Sequence, residues 1–185
     1  MQTIFIDYEE FTPELAQQYF SNNKSVFKLG NFIEKTAVIQ RDKGFTNEIN
    51  QLNQLNVPAG GGTIIEDVTD LEGGCFIPLA YSLSVHDLLQ EMYEILNQLF
   101  PHCCMVDNND ILYNGLKVFG CTSWVDNINQ LLKCTFHFSL REDVTSDVQI
   151  YCNKETQKQV GYLPIMNDRL ARYIIHHFEH IDDTI

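Results

Sequence analysis

The sequence predicts an α+β fold, in which helices flank a mixed, largely antiparallel sheet. Three observations support this prediction. Short runs rich in β-branched and aromatic residues are separated by turn residues. Asn114-Gly115 lies between two apolar runs, which is typical of a type I′ hairpin. After Ser84, apolar residues recur at a spacing of three to four, as in an amphipathic helix. At 185 residues without a repeat or linker, we expect one domain over 1–185.

For the N-terminal half, the sequence predicts strands interrupted by two helices. Thr12-Pro13 opens a helix that runs to about Phe20, with threonine as N-cap and proline at the first helical position. A second helix is predicted from Asn47 to Leu55, because its leucines fall near one face. The remaining segments are predicted strands, of which the last two should pair: Thr3–Ile6, Ser25–Leu29, Thr36–Gln40, Thr63–Glu66 and Cys75–Leu83.

The C-terminal half predicts two helices and five strands. Ser84 caps the first helix, which ends at Phe100-Pro101 because proline cannot continue it. The last helix is predicted from Asn167 to about His180. The strands are expected near Cys104–Val106, Ile111–Tyr113, Lys117–Thr122, Lys133–Leu140 and Val148–Cys152.

Composition excludes several classes of function. A formal net charge of −13 argues against binding to nucleic acid or to an anionic membrane surface. No apolar run is long enough to span a bilayer, and the N-terminus lacks a signal pattern, so we expect a cytoplasmic protein. The six cysteines are not spaced as in small secreted scaffolds, and we expect reduced, mostly buried thiols.

A glycine triplet is the first candidate for a functional site. Gly60, Gly61 and Gly62 lead directly into a predicted strand that begins at Thr63. A loop without β-carbons lets a ligand approach the backbone, and successive N–H groups there can hold an anion. The alternative is a hairpin turn that binds nothing.

The second candidate is the hairpin around Asn114-Gly115. Lys117 follows the turn, and Leu116 and Val118 should point to the opposite face of the strand. A lysine in this position can place a positive charge in a cleft. The alternative is a lysine on the solvent face that only improves solubility.

Together the two segments resemble the catalytic domain of the biotin–protein and lipoate–protein ligases, which has a class II synthetase-like fold. Those enzymes carry a glycine triplet followed by a strand that ends in an acid, here Asp67, and then an Asn-Asp hairpin with a Gly-x-Lys-x-x-Gly pattern. The matching hairpin residues are Asn109, Asp110, Gly115, Lys117 and Gly120. The resemblance covers about residues 20–165, and we expect no accessory C-terminal domain of the kind that many lipoate ligases have.

The resemblance implies a ligand, cofactors and partners. The ligand would be a small carboxylic acid such as lipoate, octanoate or biotin. ATP and Mg²⁺ would activate it as an adenylate, and an acyl-carrier, lipoyl or biotinyl domain would accept the acyl group. Lys117 would be catalytic, and Asp110 would bind Mg²⁺ or orient the lysine. The remaining residues would hold the cofactor (Gly60, Gly61, Gly62, Thr63, Asn109 and Gly120) or the acyl chain (Ile65, Phe76 and Val118). All of this requires the glycine triplet and Lys117 to face one cavity.

The sequence also departs from the family pattern. Asn56 and Val57 stand where the ligases have arginines, and Glu66 stands where many have histidine. Of the family's His-Gly-Thr run, only Thr135 remains, so adenylate binding would depend on backbone N–H groups, Lys117 and Lys133. One alternative is therefore a non-catalytic relative that acts as a binding or interaction protein.

Two other chemistries would involve the cysteines. A cysteine/lysine octanoyltransferase would need a thiol beside Lys117, and strand alternation places Cys121 on the same face. A zinc site from Cys134 and His137 is disfavoured, because alternation puts them on opposite faces and the chain has no Cys-x-x-Cys pair.

Overall fold

A computed structural model describes residues 6–22, 24, 26–42, 44–81, 84–106, 109–153 and 159–181. Within these ranges, ten strands form two sheets. The strands are β1 (Ile6–Phe11), β2 (Val26–Phe32), β3 (Thr36–Ile39), β4 (Asn53–Asn56), β5 (Thr63–Glu66), β6 (Leu71–Pro78), β7 (Cys103–Val106), β8 (Asp110–Tyr113), β9 (Leu116–Asp126) and β10 (Leu131–Phe138). The large sheet has the order β1-β2-β6-β10-β9-β8-β7, and the small sheet has the order β4-β3-β5.

Both sheets are mixed, and most of their pairs are antiparallel. Only the β1–β2 pair is parallel in the described part of the large sheet, and only β3–β4 in that of the small sheet. Four helices accompany the sheets: α1 (Pro13–Phe20), α2 (Val85–Leu99), α3 (Val144–Tyr151) and α4 (Asn167–Ile181). This architecture confirms the predicted α+β class.

Three helices, α1, α2 and α4, start where the sequence predicts, and the first two begin at side-chain caps. The Thr12 side chain accepts a hydrogen bond from Leu15 N at 3.1 Å, and proline follows the cap. At Ser84 a capping box is complete, because Ser84 and Asp87 each accept a hydrogen bond from the other's backbone N–H. None of the helices in the described ranges is long and apolar enough to cross a membrane.

The two faces of the large sheet pack against different partners. One face carries the main core, where α2 and α4 cover aromatic side chains such as Phe119, Phe136 and Phe138. The other face packs against α1 and the small sheet through residues that include Phe32, Val38 and Leu55. The space that remains between the two sheets becomes the site described below.

Two predicted elements are wrong. The helix over Asn47–Leu55 is only a 3₁₀ turn at Asn47–Gln51, followed by β4, which pairs in parallel with β3. The strand over Val148–Cys152 is instead part of α3. Both segments are short, and periodicity alone does not separate a strand from a helix at that length.

The predicted pairing of Thr63–Glu66 with Cys75–Leu83 is also wrong. β5 pairs with β3 in the small sheet, whereas β6 spans Leu71–Pro78 and pairs with β2 and β10 in the large sheet. Of the predicted strand Thr3–Ile6, residues 3–5 lie outside the described residues, and β1 begins at Ile6. The six cysteines are free, and all except Cys104 are buried, as the sequence predicts.

Candidate functional site

A cavity of about 580 Å³ lies between the two sheets. The glycine triplet borders it from the side of the small sheet, and the β8–β9 hairpin borders it from the large sheet. Val144 and Val148 of α3 line part of its wall. The structure therefore brings the two segments that carry the family resemblance to one cavity.

Lys117 reaches this cavity because of a β-bulge. Leu112 pairs with Lys117 and Ile111 pairs with Phe119, so Val118 is the extra residue in β9. The bulge places Lys117 on the face that carries Asp110 and away from the main core. Lys117 Nζ lies 2.8 Å from Asp110 Oδ1.

In the Lys117–Asp110 ion pair, the aspartate is buried and the lysine is partly exposed. The Asp110 side chain is 4% exposed, whereas that of Lys117 is 27% exposed. A β-carbon on Gly120 would lie 3.0 Å from both Cε and Nζ of Lys117. Gly120 therefore provides the room in which the lysine lies across the sheet, and it also lines the cavity.

The backbone around the hairpin is held on both sides. Asn114 and Gly115 have φ values of 52° and 80°, as a type I′ turn requires. On the edge of β9 opposite β8, Lys117 N donates to Gln159 O at 3.0 Å, and Gly161 N donates to Lys117 O at 2.9 Å. The ammonium group is thus carried by a segment with hydrogen bonds along both edges.

Cys121 does not share the face of Lys117, so that prediction is wrong. The bulge at Val118 reverses the alternation, and Cys121 packs in the main core with Cys134 and Phe136, although it also borders the cavity. A hydrogen bond with Cys134 and burial raise the pKa of the Cys121 thiol well above its usual value. These features oppose a thiolate nucleophile at this position.

The glycine loop has a conformation and contacts that require small residues. Gly61 has a φ of +121°, and a β-carbon there would lie 2.0 Å from Gln40 Oε1. The Thr122 hydroxyl donates to Gly60 O at 2.5 Å and ties the loop to the large sheet. A β-carbon on Gly60 would lie 3.6 Å from Arg41 Nη2, so a guanidinium group stands beside the loop.

The glycine loop already binds a carboxylate of the protein itself, that of Asp42. Gly61 N donates a hydrogen bond of 2.8 Å to Asp42 Oδ2, and Asp42 N donates to Gly61 O at 3.0 Å. Asp42 also lines the cavity. The backbone here can bind an anionic oxygen, but a ligand that uses the Gly61 amide must displace Asp42.

Two glutamates and a histidine meet beneath the cavity. Glu72 of β6 and His137 of β10 are cross-strand neighbours, and Glu66 ends β5 on the opposite sheet. All three are buried, and Glu72 and His137 line the cavity. Burial, followed by the charge of Glu66, holds the pKa of the Glu72 carboxyl well above its usual value.

Some predicted residues line the cavity and others do not. Thr63, Ile65, Asn109 and Val118 belong to its wall. Phe76 lies elsewhere, stacked on Tyr19 with 4.8 Å between the ring centroids, so its predicted role is wrong.

Lys133 is also remote from the cavity. Its Nζ lies 3.0 Å from Asp126 Oδ2, donates to Phe20 O at 3.2 Å, and lies 5.0 Å from the centroid of Phe76. The predicted use of Lys133 for a nucleotide is therefore wrong. Cys134 packs in the main core, whereas His137 contacts Glu66, in agreement with their expected opposite faces.

The cavity wall also includes polar residues that were not predicted as site residues, among them Asp42, Glu72, Thr122 and His137. Thr122 and His137 stand in strands predicted correctly, and their polar side chains among apolar neighbours were the available signal. Asp42 and Glu72 gave no local signal, because their roles depend on chain segments far away in sequence.

Comparison with known proteins identifies the fold. No protein-family model matches the sequence, and no curated protein sequence matches it. A bipartite lipoate protein ligase from Thermoplasma acidophilum, solved with its E2 lipoyl domain, has a TM-score of 0.73 at 11% identity, over 99% of this chain and 85% of that one. A lipoate–protein ligase A bound with ATP has a TM-score of 0.70 at 13% identity, over 97% and 85%.

A biotin ligase is similar as well. The biotin protein ligase from Leishmania major in complex with biotinyl-5-AMP has a TM-score of 0.55 at 13% identity, over 96% of this chain and 74% of that one. The chain therefore has the fold of the lipoate and biotin protein ligases over nearly its whole length. This confirms at the level of the fold the resemblance that the glycine triplet and the lysine hairpin predict.

Proposed function

We propose that the protein binds a small carboxylic acid, such as lipoate, octanoate or biotin, or its acyl-adenylate, in the cavity between the sheets. Lys117 would contact the anionic end of the ligand, and the acyl group would pass to a lysine of a lipoyl or biotinyl domain. The observation that carries this proposal is the common cavity of Lys117 and the glycine triplet.

The charge distribution of the cavity supports the role of Lys117. It is the only lysine or arginine on the cavity wall among the described residues. Its ion pair with Asp110 holds the ammonium group in place while leaving part of the side chain exposed. A fixed and partly desolvated ammonium is suited to bind a carboxylate or phosphate and to stabilise charge that develops during acyl activation.

ATP and Mg²⁺ fit this wall in part. Arg41 beside Gly60 can offset phosphate charge in place of the missing arginines, and the amides of the glycine loop can donate to phosphate oxygens. The carboxylate of Asp110 is a suitable oxygen ligand for Mg²⁺, but its Oδ1 contacts Lys117, which favours the orienting role. ATP would supply the adenylyl group that activates the acid.

A second candidate is an acid-binding protein that does not form an adenylate. Three acids line the cavity, Asp42, Glu72 and Asp110, against a single lysine. A triphosphate would meet net negative charge there, and Asp42 occupies the Gly61 amide. This excess of acids favours a ligand with one negative charge over a nucleotide.

The test is incubation of the protein with labelled ATP and lipoate, octanoate or biotin, followed by detection of the acyl-adenylate. Acid binding is measured separately by calorimetry without ATP. Adenylate formation supports the ligase function, and acid binding alone supports the second candidate. The absence of both would contradict the proposal.

Lys117→Ala tests the residue, and Lys28→Ala is a matched control. Lys28 is also a partly buried strand lysine that contacts a carboxylate, that of Glu9, but it does not line the cavity. We expect Lys117→Ala to weaken acid binding about 10-fold or more, the loss of one charge-assisted hydrogen bond, and Lys28→Ala to leave it unchanged. Equal affinities in the two variants would contradict the role of Lys117.

A further inference from the structure

We propose that Glu66, Glu72 and His137 bind a divalent transition-metal ion such as Zn²⁺ at the floor of the cavity. Each residue offers one donor atom, and the three atoms lie within 4.8 Å of one another. Ligands at about 2.1 Å from a single zinc ion span up to about 4.2 Å, so small side-chain rotations bring these atoms into range. This inference does not depend on the proposed acid ligand.

All three residues are buried and carry unsatisfied polar atoms. Glu66, Glu72 and His137 are 1%, 3% and 6% exposed. Among the described residues, Glu66 Oε1, Glu72 Oε2 and His137 Nδ1 have no hydrogen-bond partner, although Glu66 Oε1 touches His137 Nδ1. Buried polar atoms without partners are rare in native proteins, and a bound ion is one of the accepted explanations.

His137 has the orientation that a metal ligand needs. Its Nε2 lies 3.0 Å from Ser139 Oγ, which can accept the Nε2–H bond. That tautomer leaves a lone pair on Nδ1, the atom that faces the two glutamates. Ligating histidines are usually oriented in this way by a hydrogen bond from the second ring nitrogen.

The neighbouring cations are engaged elsewhere. Arg141 bonds Asp70 and Asp147, and Lys35 bonds Asp147. In the described ranges of the chain, no lysine or arginine forms an ion pair with Glu66 or Glu72. Two buried carboxylates therefore face each other with only an imidazole beside them, and such charges require neutralisation.

A single divalent ion can meet all three atoms at once and balance two negative charges. Protons would do the same only with two of them in place, one on His137 Nδ1 toward Glu66 and one between the glutamates. One imidazole nitrogen with two carboxylate oxygens suits Zn²⁺ or Mn²⁺ more than Ca²⁺ or Mg²⁺. Three protein ligands leave a coordination position open toward the cavity that Glu72 and His137 line.

The experiment uses the full chain, stripped with a chelator and titrated with Zn²⁺ and then Co²⁺. We expect Zn²⁺ at about 100 times its Kd to raise the Tm by about 5–10 °C. Co²⁺ should give visible d–d absorption without a thiolate-to-cobalt band, because the ligands contain no sulfur. A thiolate band would mean that the cysteines bind the metal, and it would overturn the proposal.

Glu72→Gln should abolish both the Tm shift and the cobalt spectrum. The matched control is Glu91→Gln, which removes a carboxylate from the other group of potential ligands, Glu91, Glu94 and His177 on α2 and α4. We expect the control to keep the shift and the spectrum. If Glu72→Gln kept the Tm shift and the cobalt spectrum, or if only Glu91→Gln lost them, the metal would bind at the surface of α2 and α4 instead.

Ser139→Ala is a second variant that keeps all three ligands. It removes only the partner of His137 Nε2, and we expect a fall in Co²⁺ affinity of about 10-fold or more. The folded state of each variant is checked by circular dichroism before titration. An unchanged Tm for the stripped wild-type protein at millimolar Zn²⁺ would show that the acids share protons and bind no metal.

Discussion

Two groups of buried acids lie on either side of the end of β5, and they differ in how their charges are balanced. In the first, Arg141 Nε lies 2.7 Å from Asp70 Oδ2, Nη2 donates to Ile65 O at 3.0 Å, and Nη1 contacts Asp147 Oδ2. In the second, His137 is the basic side chain that contacts Glu66 and lies across the strand pair from Glu72, and among the described residues no lysine or arginine pairs with either glutamate. The first group is closed by protein contacts, and the second opens toward a cavity.

The difference separates a stabilising network from a candidate binding site. Asp70 accepts hydrogen bonds from Leu140 N, Asp67 N and Arg141, so its oxygens are used within the protein. Glu72 Oε2, equally buried, accepts none among the described residues. An unpaired buried carboxylate lowers stability, so its presence at a cavity wall is better explained by a ligand than by folding.

The largest effect is expected from Arg141→Met. Loss of the guanidinium leaves Asp70 and Asp147 buried without their cation, which should reduce the free energy of unfolding by about 3–5 kcal/mol. Urea denaturation measures the change. Arg172→Ala is the control, because Arg172 pairs with Asp168 on the exposed surface of α4 and should change stability by less than about 0.5 kcal/mol. Similar losses in both variants would refute the central role of Arg141.

The two groups of buried acids are compared most directly by the stabilities of Asp70→Asn and Glu72→Gln in metal-free protein. Asn at 70 would turn an NH₂ group toward the N–H donors that now bind Asp70. We therefore expect the free energy of unfolding to fall by about 3 kcal/mol. Gln at 72 replaces a carboxyl group that has no lysine or arginine partner among the described residues, and we expect the free energy of unfolding to stay constant or rise by about 1 kcal/mol. Both are measured by denaturation in a chelator. A loss in Glu72→Gln as large as in Asp70→Asn would make both groups structural.

Local turn chemistry allowed much of the fold and part of the site to be predicted. The Asn114-Gly115 hairpin, the caps at Thr12 and Ser84, and the glycine triplet ahead of β5 depend on neighbours in sequence. These features were sufficient to predict the α+β class.

Features that depend on pairing between distant segments could not be predicted. The bulge at Val118 exists only in the register of β9 with β8, and it reverses the face on which Cys121 lies. The meeting of Glu66 with His137 requires both sheets to be assembled. The helix over residues 144–151 depends partly on contacts of Asp147 with Arg141 and Lys35, which an apolar run does not reveal.

A smaller effect is expected from Lys35→Ala. This variant tests whether burial determines how much a cation that pairs with an acid contributes to the free energy of unfolding. The exposed fractions of Arg141, Lys35 and Arg172 are 7%, 29% and 74%. Lys35 Nζ lies 2.9 Å from Asp147 Oδ1, but water reaches it, so its loss should cost about 1 kcal/mol. Urea denaturation should therefore rank the three variants in order of burial. A cost for Lys35→Ala equal to that of Arg141→Met would break this order.

The smallest effect is expected on the cavity side, from Asp42→Asn. Asp42 occupies the Gly61 amide and adds negative charge to a wall that already carries Glu72 and Asp110. Asparagine keeps an oxygen for that hydrogen bond but removes the charge, so anionic ligands should bind about 2- to 5-fold more tightly. Calorimetric titration with lipoate at low and high salt measures the gain, which should shrink as salt screens the charge. Weaker binding would mean that Asp42 contacts the ligand favourably, and the anion would then lie away from the glycine loop.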